Sequence, residues 1–327
     1  MRTTAWGAAR MVAGAAILAV IVWRLGSGPF REGFSSIGGW SLAAAAALTG
    51  ATTVCSAWRW RLVARGLGID VTLPAAIAAY YRSQFLNSAL PGGVVGDLHR
   101  AVRHGREVRD VSRALRAVAW ERVAGQAVQV ALALLVLLAL PSPVRSAMPL
   151  VVASALIIGL GAAAVLRCVP SRGSTRWGRM VRTARDDLRA GVVAPTAAPG
   201  ILVASCGVVA GHTAVFVLAA RTVGSNEPLG RLLPLAMLVL LATSVPTNIG
   251  GWGPREGAAA WVFGAAGFGA QQGVAVATAY GVLAFVATLP GAVVLVVAWR
   301  RRGRRPTANS TGELETTAAQ LDGAVYG

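Results

Sequence analysis

Eight apolar segments recur along the 327-residue chain, at about 11–23, 40–58, 73–92, 117–140, 148–166, 199–220, 232–249 and 273–299. Most approach the ~20 residues that a helix needs to cross a hydrocarbon layer. In such a layer each backbone N–H and C=O must find its partner within the protein, which selects helices. The expected fold is an all-α integral membrane protein. Composition agrees: 55% of residues are hydrophobic and 13% charged, too few charges to clothe a water-soluble domain of this length. Arg10 and the apolar run behind it imitate a secretory signal, but no small-residue cleavage site with a soluble domain follows, so the first helix is expected to remain as an anchor.

The net charge of +18 raises the question of nucleic acid, and the placement of the arginines answers it. They crowd into four connections: Arg59, Arg61 and Arg65; Arg100 to Arg116; Arg167 to Arg189; and the run at 300–305. The remaining connections, 24–39, 141–147 and 221–231, hold one or two each. By the positive-inside rule the four basic connections face the cytoplasm, which predicts a multi-pass protein of the cytoplasmic membrane with both termini inside. Nucleic acid is not an expected partner; membrane lipids are. The chain contains no lysine, so basic contacts fall to guanidinium groups, whose planar fork suits phosphate. Cys55, Cys168 and Cys206 lack the close pairing of a metal or redox motif and read as small core residues. His99, His104 and His212 form no metal constellation, and neither metal nor cofactor is expected.

Parity then makes a demand. Basic connections flank 73–96 on both sides, so this segment enters and leaves on one face. It holds Pro74 at its start and "NSALPGGVVGD" at 87–97, consistent with a helix broken into a re-entrant hairpin. The stretch 232–269 must likewise begin and end outside, as a hairpin broken by "VPTNIGGWGPREG" (245–257) or as two spans. About six full transmembrane helices plus two broken hairpins result. The two breaks, "LPGGVVGDLHR" (90–100) and "VPTNIGGWGPRE" (245–256), share an apolar residue, a proline, a glycine-rich turn and an arginine about ten residues on. With a spanning helix before and after each, they make repeat one at about 40–140 and repeat two at about 199–300, opposed in topology. Inverted repeats with discontinuous helices are a device of secondary transporters, whose substrate site lies near the midplane.

Broken helices at membrane depth expose backbone amides that attract anions. Arg255, beside Pro254 at the start of a helix expected over 254–268, sits where a lipid phosphate can be held. Glu256, its neighbour, projects about 100° away on a helix. The pair is therefore expected to reach across to Asp97, Arg100, Glu121 and Arg122 in the other repeat. These charged groups are either an ion-pair staple between the repeats or a ligand site, and charge in a membrane segment is costly under both readings. Asn87, Asn248, Gly250 and Gly251 lie in or beside the glycine turns, where they shape the chain or touch substrate. Asp97, Glu121 and Glu256 could in principle act as acid or base, but no nucleophile or metal set accompanies them, and no enzyme is expected.

Three motifs in order, "FLNSALPGGVVGDLHRA" (85–101), "AVAWERVAGQ" (117–126) and "SVPTNIGGWGPREGAA" (244–259), resemble the membrane domain of the lysylphosphatidylglycerol synthase/flippase family, over about 10–300. The resemblance implies a flippase that moves a polar-headed, anionic or modified phospholipid or lipid-linked glycan. It places Arg100, Glu121, Arg122, Arg255 and Glu256 at the family's charged positions in a cavity between the repeats. The residues after about 302 read as a disordered cytoplasmic tail, and no soluble domain for aminoacyl transfer is expected, which sets lysyl-lipid in doubt. The alternative is a non-transporting membrane partner of a lipid-modifying or glycosyltransferase enzyme, docked through basic loops. Of these, "WGRMVRTARDDLRAG" (177–191) has the pattern of an amphipathic interfacial helix.

Overall fold

The computed structural model describes residues 2–90, 93–168, 176–244 and 252–303. Within them the chain is all-helical, with no β-strand. Five stretches are long and apolar enough to cross a membrane: Gly39–Gly66, Val111–Ala139, Arg145–Val165, Ala198–Thr222 and Ala270–Arg300. The predicted tail, 304–327, and the turn residues Asn248, Gly250 and Gly251 lie outside the described residues.

In chain order the helices are α1 (Arg2–Leu25), α2 (Gly28–Ser35), α3 (Gly39–Gly66), α4 (Leu73–Ala89), α5 (Val95–Glu107), α6 (Val111–Ala139), α7 (Met148–Cys168), α8 (Arg176–Gly191), α9 (Ala198–Thr222), α10 (Leu229–Thr243), α11 (Pro254–Ala265), α12 (Ala270–Ala287) and α13 (Pro290–Gly303). A long helix followed by two shorter ones occurs twice, α3, α4, α5 and then α9, α10, α11; the first set closes on the 29-residue α6 and the second on the 18-residue α12, which α13 follows. Both expected breaks are real. Leu90 stands before Pro91 and is extended, with ψ 146°, because proline denies the preceding residue the helical region. Pro254 opens α11, where its missing N–H is no loss, and Gly253 precedes it at φ 115°, a conformation open to glycine.

Each set has its own apolar core. Trp60, Val63, Ile69, Ala76, Tyr80, Ala117 and Val118 fill the first; Phe216, Leu232, Leu235, Val239, Phe263, Val276 and Leu283 fill the second. The sets meet chiefly where α3 packs on α9. Cys55 of α3 faces Gly207 of α9 there, so this thiol is a small packing group at a close helix crossing; Cys206 is a free thiol, and the side chain of Cys168 lies outside the description. In the first hairpin, α5 closes on α4 because Asn87 Oδ1 accepts from the Gly96 amide at 2.7 Å and Gly96 lies against the Ser83 carbonyl, with no room for a Cβ. Asn87 therefore shapes the turn. Asp110, exposed at the start of α6, accepts from the Arg113 amide at 2.9 Å, and this bond holds its carboxyl below the usual carboxylate range.

Three expectations need correcting. The segment 273–299 is two helices, α12 and α13, interrupted at Thr288 and Leu289 before Pro290, since proline cannot continue the hydrogen-bond ladder. The connection 24–39 contains a helix, α2, whose Gly33 tucks against Ala275 and Thr278 of α12. The basic stretch 100–116 is largely helical, spanning the second half of α5 and the first turns of α6. The amphipathic helix expected at 177–191 is present as α8, tied to α6 by Arg116 Nε donating to Asp187 at 2.7 Å.

Two measurements check this architecture. Gly96→Ala drives a methyl into the Ser83 carbonyl and should destabilise the detergent-purified protein by about 1–3 kcal/mol, read as a lower melting temperature. In a variant without native cysteines, Ser112→Cys and Ser146→Cys should react with an impermeant maleimide from opposite sides of the membrane, Ser112→Cys from the cytoplasm.

Candidate functional site

The charges of the first set are gathered around one carboxylate. Glu121, on α6, is completely buried. Its Oε1 accepts from Arg59 Nε at 2.9 Å and Nη2 at 2.6 Å and from the Tyr80 hydroxyl at 2.7 Å. Its Oε2 accepts from Arg100 Nη2 at 3.1 Å. Helices α3, α4, α5 and α6 thus all reach one side chain. Arg59 also donates to Ser205 Oγ of α9 at 3.2 Å, carrying the network to the second set. Burial of ions without such partners costs several kcal/mol each, so the four helices are held in register by the need to keep Glu121 and its arginines together.

Asp97, one turn before Arg100 on α5, is the second node. It accepts from Arg100 Nη2 at 3.1 Å, from Arg122 Nη2 at 2.8 Å, from Ser83 Oγ at 2.9 Å and from Asn87 Nδ2 at 3.3 Å. Arg100 Nε and Nη1 have no hydrogen-bond partner; the guanidinium lies instead over the rings of Tyr80, 4.0 Å from its centroid, and Trp60, at 4.6 Å, where the ring quadrupoles stabilise the cation.

A cavity of about 500 Å³ opens beside this network, walled by α6, α9, α10 and α12 and by the start of α5. Asp97, Arg59 and Arg122 are its charged lining residues. Gln126, Gln129, His212, Thr243, Ser244 and Tyr280 add uncharged polar groups. The side chain of Arg122 is 47% accessible while those of Arg100 and Glu121 are 1% and 0%. Of the two guanidiniums in the lining, Arg59 is 6% accessible, so Arg122 is the one more open to a molecule in the cavity. Three guanidiniums share two carboxylates in the connected cluster, leaving one positive charge in excess.

In the second set Arg255 does not reach across. Its Nε donates to Glu256 Oε1 at 2.8 Å and its Nη2 to the same oxygen, against the expectation for residues adjacent on a helix. The reason is local. Glu256 Oε2 turns back to accept from the Gly253 amide at 2.7 Å, capping α11, and this brings its other oxygen to Arg255. The Arg255 guanidinium lies 5.0 Å from the Trp252 ring and 5.6 Å from that of Tyr280. Arg255 and Glu256 are absent from the described cavity lining; Arg255 buttresses Tyr280, whose hydroxyl is 3.3 Å from His212 Nδ1 and which does line the cavity.

Of the residues singled out in the sequence, Asp97, Arg100, Glu121, Arg122 and Asn87 come together, with Asp97 and Arg122 facing the cavity. Asn248, Gly250 and Gly251 are not described. Arg59 was expected in a cytoplasmic connection, yet it is buried within α3. Its signal was a polar row, Thr49, Thr52, Ser56 and Arg59, at helical spacing, all buried. Gln126 and Gln129 follow Arg122 at four and seven residues, another row on one helical face. His212 and Tyr280 carried no comparable signal, because single polar residues in apolar helices do not say what they face. Among the described residues no group of His, Cys, Asp or Glu could hold a metal.

The fold and site define a multi-pass membrane protein with a charged network bordering a largely apolar cavity, which carries a few polar groups, between two sets of helices. The chain matches the family described as lysylphosphatidylglycerol synthase TM region over residues 9–291. That is most of its length, and the chain belongs to this family. The membership links it to lipid handling in a membrane. No curated protein and no solved structure matches it.

Removing the central carboxylate tests the network. Glu121→Gln leaves the buried Arg59 without its counter-charge and Arg100 with Asp97 alone, and should destabilise the fold by about 3–5 kcal/mol, seen as a reduced melting temperature. Combining it with Arg59→Gln should restore part of the loss, giving a double variant less destabilised than the sum of the singles.

Proposed function

We propose that this protein is a lipid translocase, flippase-like, which moves a polar-headed lipid between the leaflets of the cytoplasmic membrane and catalyses no covalent reaction. The observation that carries the reading is the accessible Arg122, beside Asp97, in the lining of a half-open cavity walled by apolar helices. A guanidinium there is expensive in hydrocarbon, and a ligand phosphate would complete its coordination. The cavity volume lies within the about 300–1,000 Å³ usual for small-ligand sites, enough for a headgroup while acyl chains stay in lipid.

The repeated order of one long helix and two shorter ones, closed by α6 in one set and by α12 with α13 in the other, supports an inverted repeat, with α3–α6 opposed to α9–α12. Rocking of one set against the other would expose the cavity to each side in turn. Arg255 and Glu256, which the sequence suggested as phosphate contacts, then act through Tyr280 and hold the wall against which the headgroup moves.

The test is a proteoliposome assay with headgroup- or chain-labelled phospholipids, movement being read by accessibility to an impermeant reductant. Wild-type protein should accelerate exchange between leaflets. Arg122→Gln should lower the rate about tenfold or more while inserting and melting like the wild type, because its partner Asp97 keeps Arg100, Ser83 and Asn87. An unchanged rate in that variant removes Arg122 from the transport path, and no acceleration by folded wild-type protein removes the translocase reading in favour of a non-transporting partner of a lipid-modifying enzyme.

A further inference from the structure

His212 takes no part in the ion-pair network, and it is the one imidazole among the described lining residues of the cavity. It is also the one group there whose ordinary titration falls between about pH 5 and 8; guanidiniums, carboxylates and phenols ordinarily keep one state across that range. The ring belongs to α9, which packs on α3, α6, α10 and α12. Arg59 of α3 and Arg122 of α6 are near enough for their charges to act on it. Glu121 of α6 is sealed under Arg59, Arg100 and Tyr80, and Asp97, which α5 brings to the lining, is engaged by Arg100 and Arg122. Cys55 of α3 packs against Gly207, more than a turn away along α9. The lining residues from α10, Met237, Leu240 and Thr243, do not titrate. From α12 comes the Tyr280 hydroxyl, 3.3 Å from His212 Nδ1, with the Arg255 guanidinium 5.6 Å from the same ring.

Tyr280 suits both states of the imidazole. To a neutral ring the hydroxyl donates at Nδ1; from an imidazolium the same oxygen accepts the Nδ1 proton. Protonation therefore turns one O–H and breaks no contact. Charge then decides when the proton can be held. Three guanidiniums against two carboxylates leave the cluster at plus one. An imidazolium in the empty cavity raises that excess to plus two, where a poorly polarisable surrounding makes repulsion between cations strong. A phosphodiester at Arg122 brings one negative charge and returns the sum to plus one. The anion and the proton thus each favour the other's binding, and linkage requires the factor to be the same both ways.

We propose that His212 is a proton site coupled to anion binding, so that a lipid phosphate at Arg122 and one proton on the imidazole enter the cavity together and leave it together. The proton comes from water reaching the half-open cavity, adds to the lone pair of the imidazole, and returns to water when the phosphate departs. The inference rests on the translocase reading for its consequence in transport, whereas binding tests it independently. In transport, a proton travelling with a singly charged lipid makes the step electroneutral and lets a proton gradient drive it. No nucleotide is needed for that.

The experiment uses the full-length protein in detergent with short-chain phosphatidylglycerol, whose phosphodiester stays ionised throughout the range measured. Binding is followed between about pH 5.5 and pH 7.5, together with the protons taken up on binding in weak buffer. Affinity should rise about tenfold as the pH falls, with net proton uptake. His212→Gln should flatten the slope and abolish the uptake; His99 and His104, outside the cavity lining, remain in that variant and so serve as the control. In proteoliposomes, an imposed pH gradient should drive labelled phosphatidylglycerol toward the alkaline side in the wild type and not in His212→Gln. Wild-type uptake remains a test even if the variant fails to fold. Binding that is absent at both extremes, binding independent of pH, wild-type binding without proton uptake, or an unchanged slope in folded His212→Gln overturns the inference, and the translocase reading survives wherever lipid still moves. A gradient that drives no net movement of a lipid that does exchange overturns it as well. If binding follows pH as expected and no lipid moves, the proton site stands and the transport reading falls.

Discussion

One buried carboxylate organises this protein. Glu121 has no route to water and is held by two guanidiniums and a phenol from α3, α4 and α5. Ions of this kind survive at depth only when each finds its partners, so the position of Glu121 dictates where Arg59 and Arg100 must be. Apolar packing between helices in a membrane supplies little preference for one register over another, because lipid is as good a neighbour as leucine. The charged node provides the register that the hydrophobic surfaces leave open. It also brings α5, the inner limb of the first hairpin, against α6, and thereby turns Asp97 and Arg122 toward the cavity.

The second set solves the same problem by different means. Its charged pair is adjacent in sequence, capped by the amide of a glycine with positive φ, and covered by aromatic rings. Both sets lay a guanidinium against aromatic faces, Arg100 against Tyr80 and Trp60, Arg255 against Trp252 and Tyr280. In the first the network spreads over four helices; in the second it closes within one helical turn. Tyr280 joins the two halves of the site, with Arg255 against its ring and His212 at its hydroxyl. The cavity therefore takes its charged groups from the first set and its uncharged lining, mostly apolar with a few polar groups, mainly from α6 and the second set.

Much of the architecture was legible in the chain. The apolar segments announced the membrane fold, and proline with glycine announced the breaks near 91 and 253, because both effects are local and depend on backbone sterics and segment length. Asp97, Arg100, Glu121 and Arg122 were legible as a set because charge is rare in such segments. Arg59 was misplaced: three arginines within seven residues look like the end of a span, and only the continuation of α3 to Gly66 shows that the first of them is inside. Likewise the Arg255–Glu256 pair was read from ideal helix geometry, which takes no account of a side chain that turns back to cap its own helix.

The sequence by itself determined that the chain is helical, spans a membrane, breaks in two places and carries charges it cannot leave unpaired, since each follows from the cost of exposing backbone or ions to hydrocarbon. The tertiary structure alone decided which charge pairs with which, that Arg122 rather than Arg255 faces the described cavity, and that Asp97, the carboxylate among its described lining residues, is already engaged. Those facts depend on directions in space between helices distant in the chain, and a row of residues does not record which way a helix is turned once it has met its neighbours.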